Sequence, residues 1–122
     1  MYGPDMEGTQ TLQSIVDDAH TLEAIHKSEL GSGDWVFVTT KNSTYAICAL
    51  GDGSYSVSGG WFDRKGLSPQ KVTINGCTWG GSAIKHDIVA ACGLFLEFGN
   101  RVLTTRIREV RVVRDSAQPA LN

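Results

Sequence analysis

The stretch from Trp35 to Val57 constrains the fold most. It reads Trp-Val-Phe-Val-Thr-Thr, Lys-Asn-Ser, Thr-Tyr-Ala-Ile-Cys-Ala-Leu, Gly-Asp-Gly and Ser-Tyr-Ser-Val. Three β-rich runs separated by two turn clusters are the form of an antiparallel meander. With Lys41 and Asn42 as turn residues, Val36, Val38, Tyr45 and Ile47 share one face, and Trp35, Phe37, Ala46 and Cys48 share the other. A strand with one wet face alternates apolar and polar residues, so two apolar faces predict cover on both sides. More sheet on one side and an N-terminal helix on the other would supply it.

The helix is predicted from Leu12, Ile15, Val16, Ala19, Leu22 and Ile25, which form a single stripe at helical spacing. It is expected over residues 9–29, with Gly31-Ser32-Gly33 turning the chain into the first strand. Residues 1–8 read as a disordered lead-in and 115–122 as a flexible tail, which leaves one domain over 9–114.

Further hairpins are expected downstream. Asn75-Gly76 is the preferred type I′ turn pair, and as a turn it sets Ile74 opposite Cys77 and Val72 opposite Trp79. Residues 83–92 suit either a short helix or an extended crossing. Leu94, Leu96 and Phe98 alternate up to Gly99-Asn100, a two-residue turn that would place Leu96 opposite Leu103. The apolar set then slips at Arg108-Glu109, which predicts a β-bulge in a strand from Val102 to Val113. The total is a mainly β (α+β) chain, a small antiparallel β-barrel or sandwich of about seven short strands with an N-terminal amphipathic helix over 9–29 and the barrel over 34–114.

A chain of 122 residues can bury one core without staples. A formal net charge of −2 gives no global pull toward nucleic acid or an anionic membrane. The charges are uneven. Residues 1–34 carry seven acids against Lys27, and residues 101–114 carry five arginines against Glu109. Each set reads as a solvated face, or else the acidic segment lies beside the basic one, in this chain or in a partner. Three cysteines without paired spacing read as small buried residues in a reducing compartment. No apolar run near the N-terminus suggests a signal peptide, and none approaches the ~20 residues of a membrane span. A cytoplasmic setting is the expectation.

No catalytic, metal or cofactor site is expected. In His20-x-x-Glu23-x-x-His26 the side chains would spread over about 120° of a helix, unlike a zinc-binding i, i+4 histidine pair. A cysteine nucleophile would need Cys77 or Cys92 beside His86, yet Cys77 falls on an apolar face. The glycines of 76–82 lack the lysine and the parallel setting of a phosphate loop, and Gly51-Asp52-Gly53 reads as a hairpin loop.

Two features suit a binding role. Trp61 and Phe62 followed by Arg64, together with Trp79 beside Gly80-Gly81, could form an aromatic and basic surface or could plug the ends of the barrel. Arg106, Arg108, Arg111 and Arg114 could line one strand face and meet phosphates, although a bulge would scatter them.

The runs Thr40-Lys41-Asn42-Ser43-Thr44-Tyr45, Gly80-Gly81-Ser82-Ala83-Ile84 and Thr104-Thr105-Arg106-Ile107 are similar to those of a loose group of small bacterial proteins of unknown function. These share a T-x-N-S-x-Y strand, a G-G-S segment and a terminal T-[ST]-x-[IV] strand. The resemblance spans about residues 35–113. It implies an all-β core in a bacterial cytoplasm and brings no activity or catalytic residues. The function expected from the residues is a non-enzymatic binding or adaptor module, homodimeric, with an unknown protein as a further partner. The alternatives are a ligand-binding protein or enzyme with a pocket at the barrel mouth, walled by Trp61, Trp79 and Arg64, and a nucleic-acid binder using the Arg106–Arg114 strand.

Overall fold

The computed structural model describes residues 20–80 and 83–114. Eleven strands are present among these residues: β1 (His20–Leu22), β2 (Ala24–His26), β3 (Trp35–Thr39), β4 (Thr44–Ala49), β5 (Tyr55–Gly59), β6 (Gln70–Val72), β7 (Ile74–Thr78), β8 (Ile84–Lys85), β9 (Ile88–Ala91), β10 (Phe95–Phe98) and β11 (Glu109–Val113). One short helix, α1 (Gly60–Arg64), follows β5. The pairing is antiparallel throughout. A six-stranded sheet runs in the order β1-β11-β3-β4-β5-β6, a three-stranded sheet β10-β7-β8, and a two-stranded sheet β2-β9. Among the described residues the sheets do not close into a barrel. No helix there is long and apolar enough to cross a membrane.

The meander forms in the register its residues demand. Trp35 pairs with Cys48, Val36 with Ile47, Phe37 with Ala46 and Val38 with Tyr45, and Thr40 N–H closes the turn on the Ser43 carbonyl at 2.8 Å. The face carrying Val36, Val38, Tyr45, Ile47 and Val57 continues across β11 through Val110 and Val112. All of these belong to one core with Ile25, Ile74, Cys77, Val89, Leu96 and Phe98 of the smaller sheets. Each such side chain contributes about 1.5–3 kcal/mol by leaving water, so a one-residue slip of register would forfeit the set. On the opposite face the Trp35 and Phe37 rings stack at 5.9 Å, and Phe37 is only 3% exposed, in keeping with a strand covered on both sides.

Three expectations are corrected. The helix proposed over 9–29 is absent from residues 20–29, which form β1, β2 and a 3-10 turn over Lys27–Glu29; residues 9–19, the lead-in and the tail lie outside the described residues. Leu22 and Ile25 fit a helical stripe, but they also suit two strands that change sheet at Glu23. Leu22 lies opposite Val110 in the large sheet, Ile25 lies opposite Ala90 in the two-stranded one, and Cys92 N–H donates to the Glu23 carbonyl at the corner.

Asn75-Gly76 is not a turn. Both residues lie inside β7, where a bulge sets them against β10, with Glu97 opposite Gly76 and Phe98 opposite Ile74. Gly76 has φ +139°, and a Cβ there would sit 2.2 Å from the Lys85 carbonyl oxygen. The same freedom that suits glycine to a type I′ turn here permits a bulge and a close backbone approach.

The Gly99-Asn100 turn is longer than two residues. Arg101 adopts φ +71°, and Phe98 N–H meets the Val102 carbonyl at 2.9 Å. The added residue moves the register by one, so Leu103 bridges to Glu97 instead of Leu96 and turns outward. The long last strand is correspondingly reduced to β11, with Val110 and Val112 inward as the slip at Arg108-Glu109 requires. Residues 84–91 take the extended alternative, with β8 pairing to β7 and β9 to β2 on either side of a turn at His86-Asp87.

The acidic and basic segments do meet, through the β1–β11 pair and through an ion pair at the end of β11. Arg114 Nη1 lies 3.6 Å from Asp34 Oδ2 and donates to the Glu29 carbonyl. Asp34 in turn accepts from Gly31 N–H at 2.9 Å, so the basic end of the chain braces the turn that starts the meander.

Candidate functional site

Trp61 and Phe62 lie on α1, with different roles. Phe62 is wholly buried and meets Phe98 edge-on at 5.0 Å and Tyr45 at 6.4 Å. It supports a surface instead of presenting one. Trp61 is half-buried against the same core, with its backbone N–H facing the Tyr45 hydroxyl at 3.4 Å. Gly60 fits here with φ +48° because a Cβ would strike the Tyr45 ring at 2.3 Å. Asp63 accepts from Gly59 N–H at 2.9 Å and from the Ser68 hydroxyl, and these bonds, the Ser68 one foremost, hold its carboxyl below the usual carboxylate range. Arg64 Nη1 reaches the Ser43 hydroxyl at 3.4 Å, beside the β3–β4 turn.

Trp79 is elsewhere. Phe62 touches Phe98, which pairs with Ile74 at the start of β7, whereas Trp79 follows Thr78 at the end of that strand. The two tryptophans thus flank opposite ends of β7, and among the described residues no contact joins Trp79 to Trp61 or Arg64. Trp79 is 58% exposed, with Lys85 Nζ 5.3 Å from the ring centroid.

The arginines are scattered. Arg106 lies 5.0 Å over the Phe95 ring and donates to the Gly93 carbonyl at 3.0 Å. Arg108 is exposed, with its backbone N–H tied to the Thr39 carbonyl. Arg111 pairs with Glu109 at 3.1 Å on the outer face of the large sheet, and Arg114 braces Asp34. These placements do not make a single phosphate-tracking stripe.

What the register does assemble is a mixed surface on the three-stranded sheet. Thr78 pairs with Phe95 on one side and with Ile84 on the other, so these three share a face. Leu103, beside Glu97, extends the same face and is 49% exposed. Arg106 covers Phe95, and Trp79 with Lys85 stands at the end of the sheet. Asn75 Nδ2 ties to Glu97 Oε2 at 2.9 Å at the bulge. Leu103 was missed because its outward turn depends on the third residue of the Gly99–Arg101 turn.

Among the described residues the titratable groups do not assemble into a reactive cluster. Cys77 is buried with Sγ 3.5 Å from the Val89 carbonyl, and desolvation pushes its thiol up to about 12. His26 lies 3.4 Å from Glu29 and 3.8 Å from Asp87, and His86 Nδ1 lies 3.0 Å from the Asn75 carbonyl. Among the described residues, no three His, Cys, Asp or Glu side chains converge as a metal-holding group.

A cleft of about 280 Å³ opens between the 3-10 turn and the β4–β5 loop, lined by Lys27, Leu30, Ala49, Gly51, Gly53, Ser54 and Tyr55. Lys27 Nζ donates to the Ile74 carbonyl at 2.7 Å. Asp52, at the tip of the loop, accepts from the Ser54 hydroxyl and from Ser54 N–H at 3.1 Å, and lies 3.3 Å from Lys71. These contacts, led by the Ser54 hydroxyl, lower its pKa to about 2. Comparison of the chain with protein-family models, curated proteins and solved structures found no match.

Proposed function

We propose that this chain is a non-enzymatic binding module that engages a partner protein through the outer face of its three-stranded sheet. The observation that carries this reading is Trp79, 58% exposed just past the end of β7 with Lys85 over its ring, on a sheet that also carries Phe95 under Arg106 and, next to Glu97, the 49% exposed Leu103. Aromatic residues and arginine are enriched in the buried centres of protein interfaces, and a large indole left in water marks a surface that gains by being covered. The partner is either another protein or a second copy of this chain, the latter giving the expected homodimer.

A photo-crosslinking side chain at Trp79 or Leu103 tests the reading. Discrete adducts are expected from both positions in cells, and a species of doubled mass if the partner is a second copy. A crosslinker at exposed Lys41, in the β3–β4 turn, is expected to give none. No adduct from 79 and 103, or the same adducts from 41, would reject the assignment.

A further inference from the structure

The cleft beside Lys27 carries a separate inference. Lys27 is half-buried, and its Nζ is held by one carbonyl oxygen, that of Ile74. No carboxylate of the described residues lies within ion-pair distance of it. A partly desolvated ammonium without a counter-charge favours an anion brought to it. In the same cleft, the Gly51 and Gly53 amides have no protein acceptor among the described residues, which leaves further donors in its wall. Tyr55, 6% exposed, adds a hydroxyl that burial keeps in its neutral form. Of the remaining wall, Leu30 and Ala49 are apolar and Ser54 spends its hydroxyl on Asp52.

We propose that this cleft binds a small organic monocarboxylate, its carboxylate on the Lys27 ammonium and its apolar body against Leu30, Ala49 and Tyr55. Charge and size both select the class. A single cation balances one negative charge, whereas a phosphate dianion would leave one uncompensated. A volume of about 280 Å³ falls just under the range of drug-sized pockets, roughly 300–1,000 Å³, so the ligand is small. The site is separate from the Trp79 face.

The test uses the whole chain labelled with ¹⁵N and titrated to about 10 mM, a range that detects dissociation constants near 1 mM. The probes are acetate, pentanoate, benzoate and phenylacetate, each set beside its neutral amide. At least one acid is expected to give saturable shifts centred on the Gly51, Gly53 and Ser54 amides, with its amide at least tenfold weaker. Lys27→Met is expected to weaken the acid at least tenfold and Lys27→Arg by less than about threefold. Because Lys27 also holds the Ile74 carbonyl, the map on the unaltered chain decides by itself should the variants fold poorly. The proposal is overturned by the absence of saturable shifts with any of the acids, by equal binding of the amides, by shifts centred elsewhere, or by full binding to a folded Lys27→Met chain.

Discussion

Lys27 Nζ donates to the Ile74 carbonyl at 2.7 Å, joining residues 47 apart in sequence. Ile74 opens β7 just after the chain leaves β6 at Thr73. The bond therefore pins the 3-10 turn to the corner where one strand passes from the large sheet to the small one. A hydrogen bond from a charged donor to a half-exposed site contributes less than a buried one. Lys27→Met is expected to cost about 1–2 kcal/mol. Urea unfolding reads this as a lower midpoint at unchanged slope, with Lys27→Arg recovering most of it. An unaltered midpoint for the methionine variant would mean that water serves the carbonyl equally well.

Gly76 allows a sharper test. Alanine there must hold φ +139° and place its Cβ 2.2 Å from the Lys85 carbonyl oxygen and 2.9 Å from His86 Cα. Gly53 has φ +88° with nothing within 4 Å of a Cβ. Gly53→Ala is expected to cost about 1–2 kcal/mol, the left-handed backbone term alone. Gly76→Ala is expected to cost at least 3 kcal/mol on the order of magnitude for strain plus a displaced strand, and to unfold much of the chain at 37 °C. Thermal unfolding followed by circular dichroism separates the two. Equal losses would show that β8 moves aside freely.

The residues that defeated sequence reasoning share a cause. The β3–β4 register was legible because Trp35, Phe37, Val36 and Val38 specify their faces with no outside information. Asn75-Gly76 offers the same positive φ to a turn and to a bulge, and only β10 and β8, paired from 97 and 85, decide between them. Leu22 and Ile25 fit a helical stripe, and only their partners, Val110 and Ala90, far along the chain, divide them between two strands. The surface of the three-stranded sheet was half legible. Trp79 and Arg106 stood out by type, but Leu103 needed the register that Arg101 sets. The Lys27 cleft was not legible, since its wall joins two segments about twenty residues apart, and Gly51-Asp52-Gly53 by itself reads as a loop.

Acid should expose the Asp52 contacts. The folded chain holds this carboxyl at about 2 against an ordinary 3.8, with the Ser54 hydroxyl the largest cause. A depressed folded pKa contributes stability that is complete above the unfolded value and disappears as pH falls through the folded one. The advantage of the unaltered chain over Asp52→Asn is therefore expected at pH 5 and to vanish between about pH 4 and pH 2. Ser54→Ala is expected to move the Asp52 carboxyl ¹³C titration back toward 3.8. An unmoved titration would assign the depression to Lys71 instead.

The aromatic contacts under α1 separate support from surface. Phe62 is fully enclosed by Phe98, Tyr45 and Trp61, all within 6.4 Å. Phe62→Ala is expected to cost about 3–5 kcal/mol, as deletion of an enclosed ring leaves a cavity. Trp61→Ala, half-exposed, is expected to cost about 1–2 kcal/mol. Equal losses in denaturant titrations would show that Trp61 closes the core as fully as Phe62.

Cys77 gives the last prediction, because its thiol reports on the interior of the small sheets. Sγ lies 3.5 Å from the Val89 carbonyl with no exposed surface, and desolvation holds the thiol at about 12. Only the thiolate attacks an alkylating reagent, so at pH 8 a residue so placed is nearly all thiol and sterically closed as well. Iodoacetamide is expected to leave Cys77 unmodified in the folded chain over hours and to label it promptly in about 6 M urea, as peptide mass spectrometry would show. Labelling in native buffer at a rate that follows urea below the midpoint would assign reaction to opening of the β7–β10 pair. Rapid labelling independent of urea would instead mean that solvent reaches Cys77 in the folded chain, and the packing of Cys77 with Leu96 and Val89 would have to be redrawn.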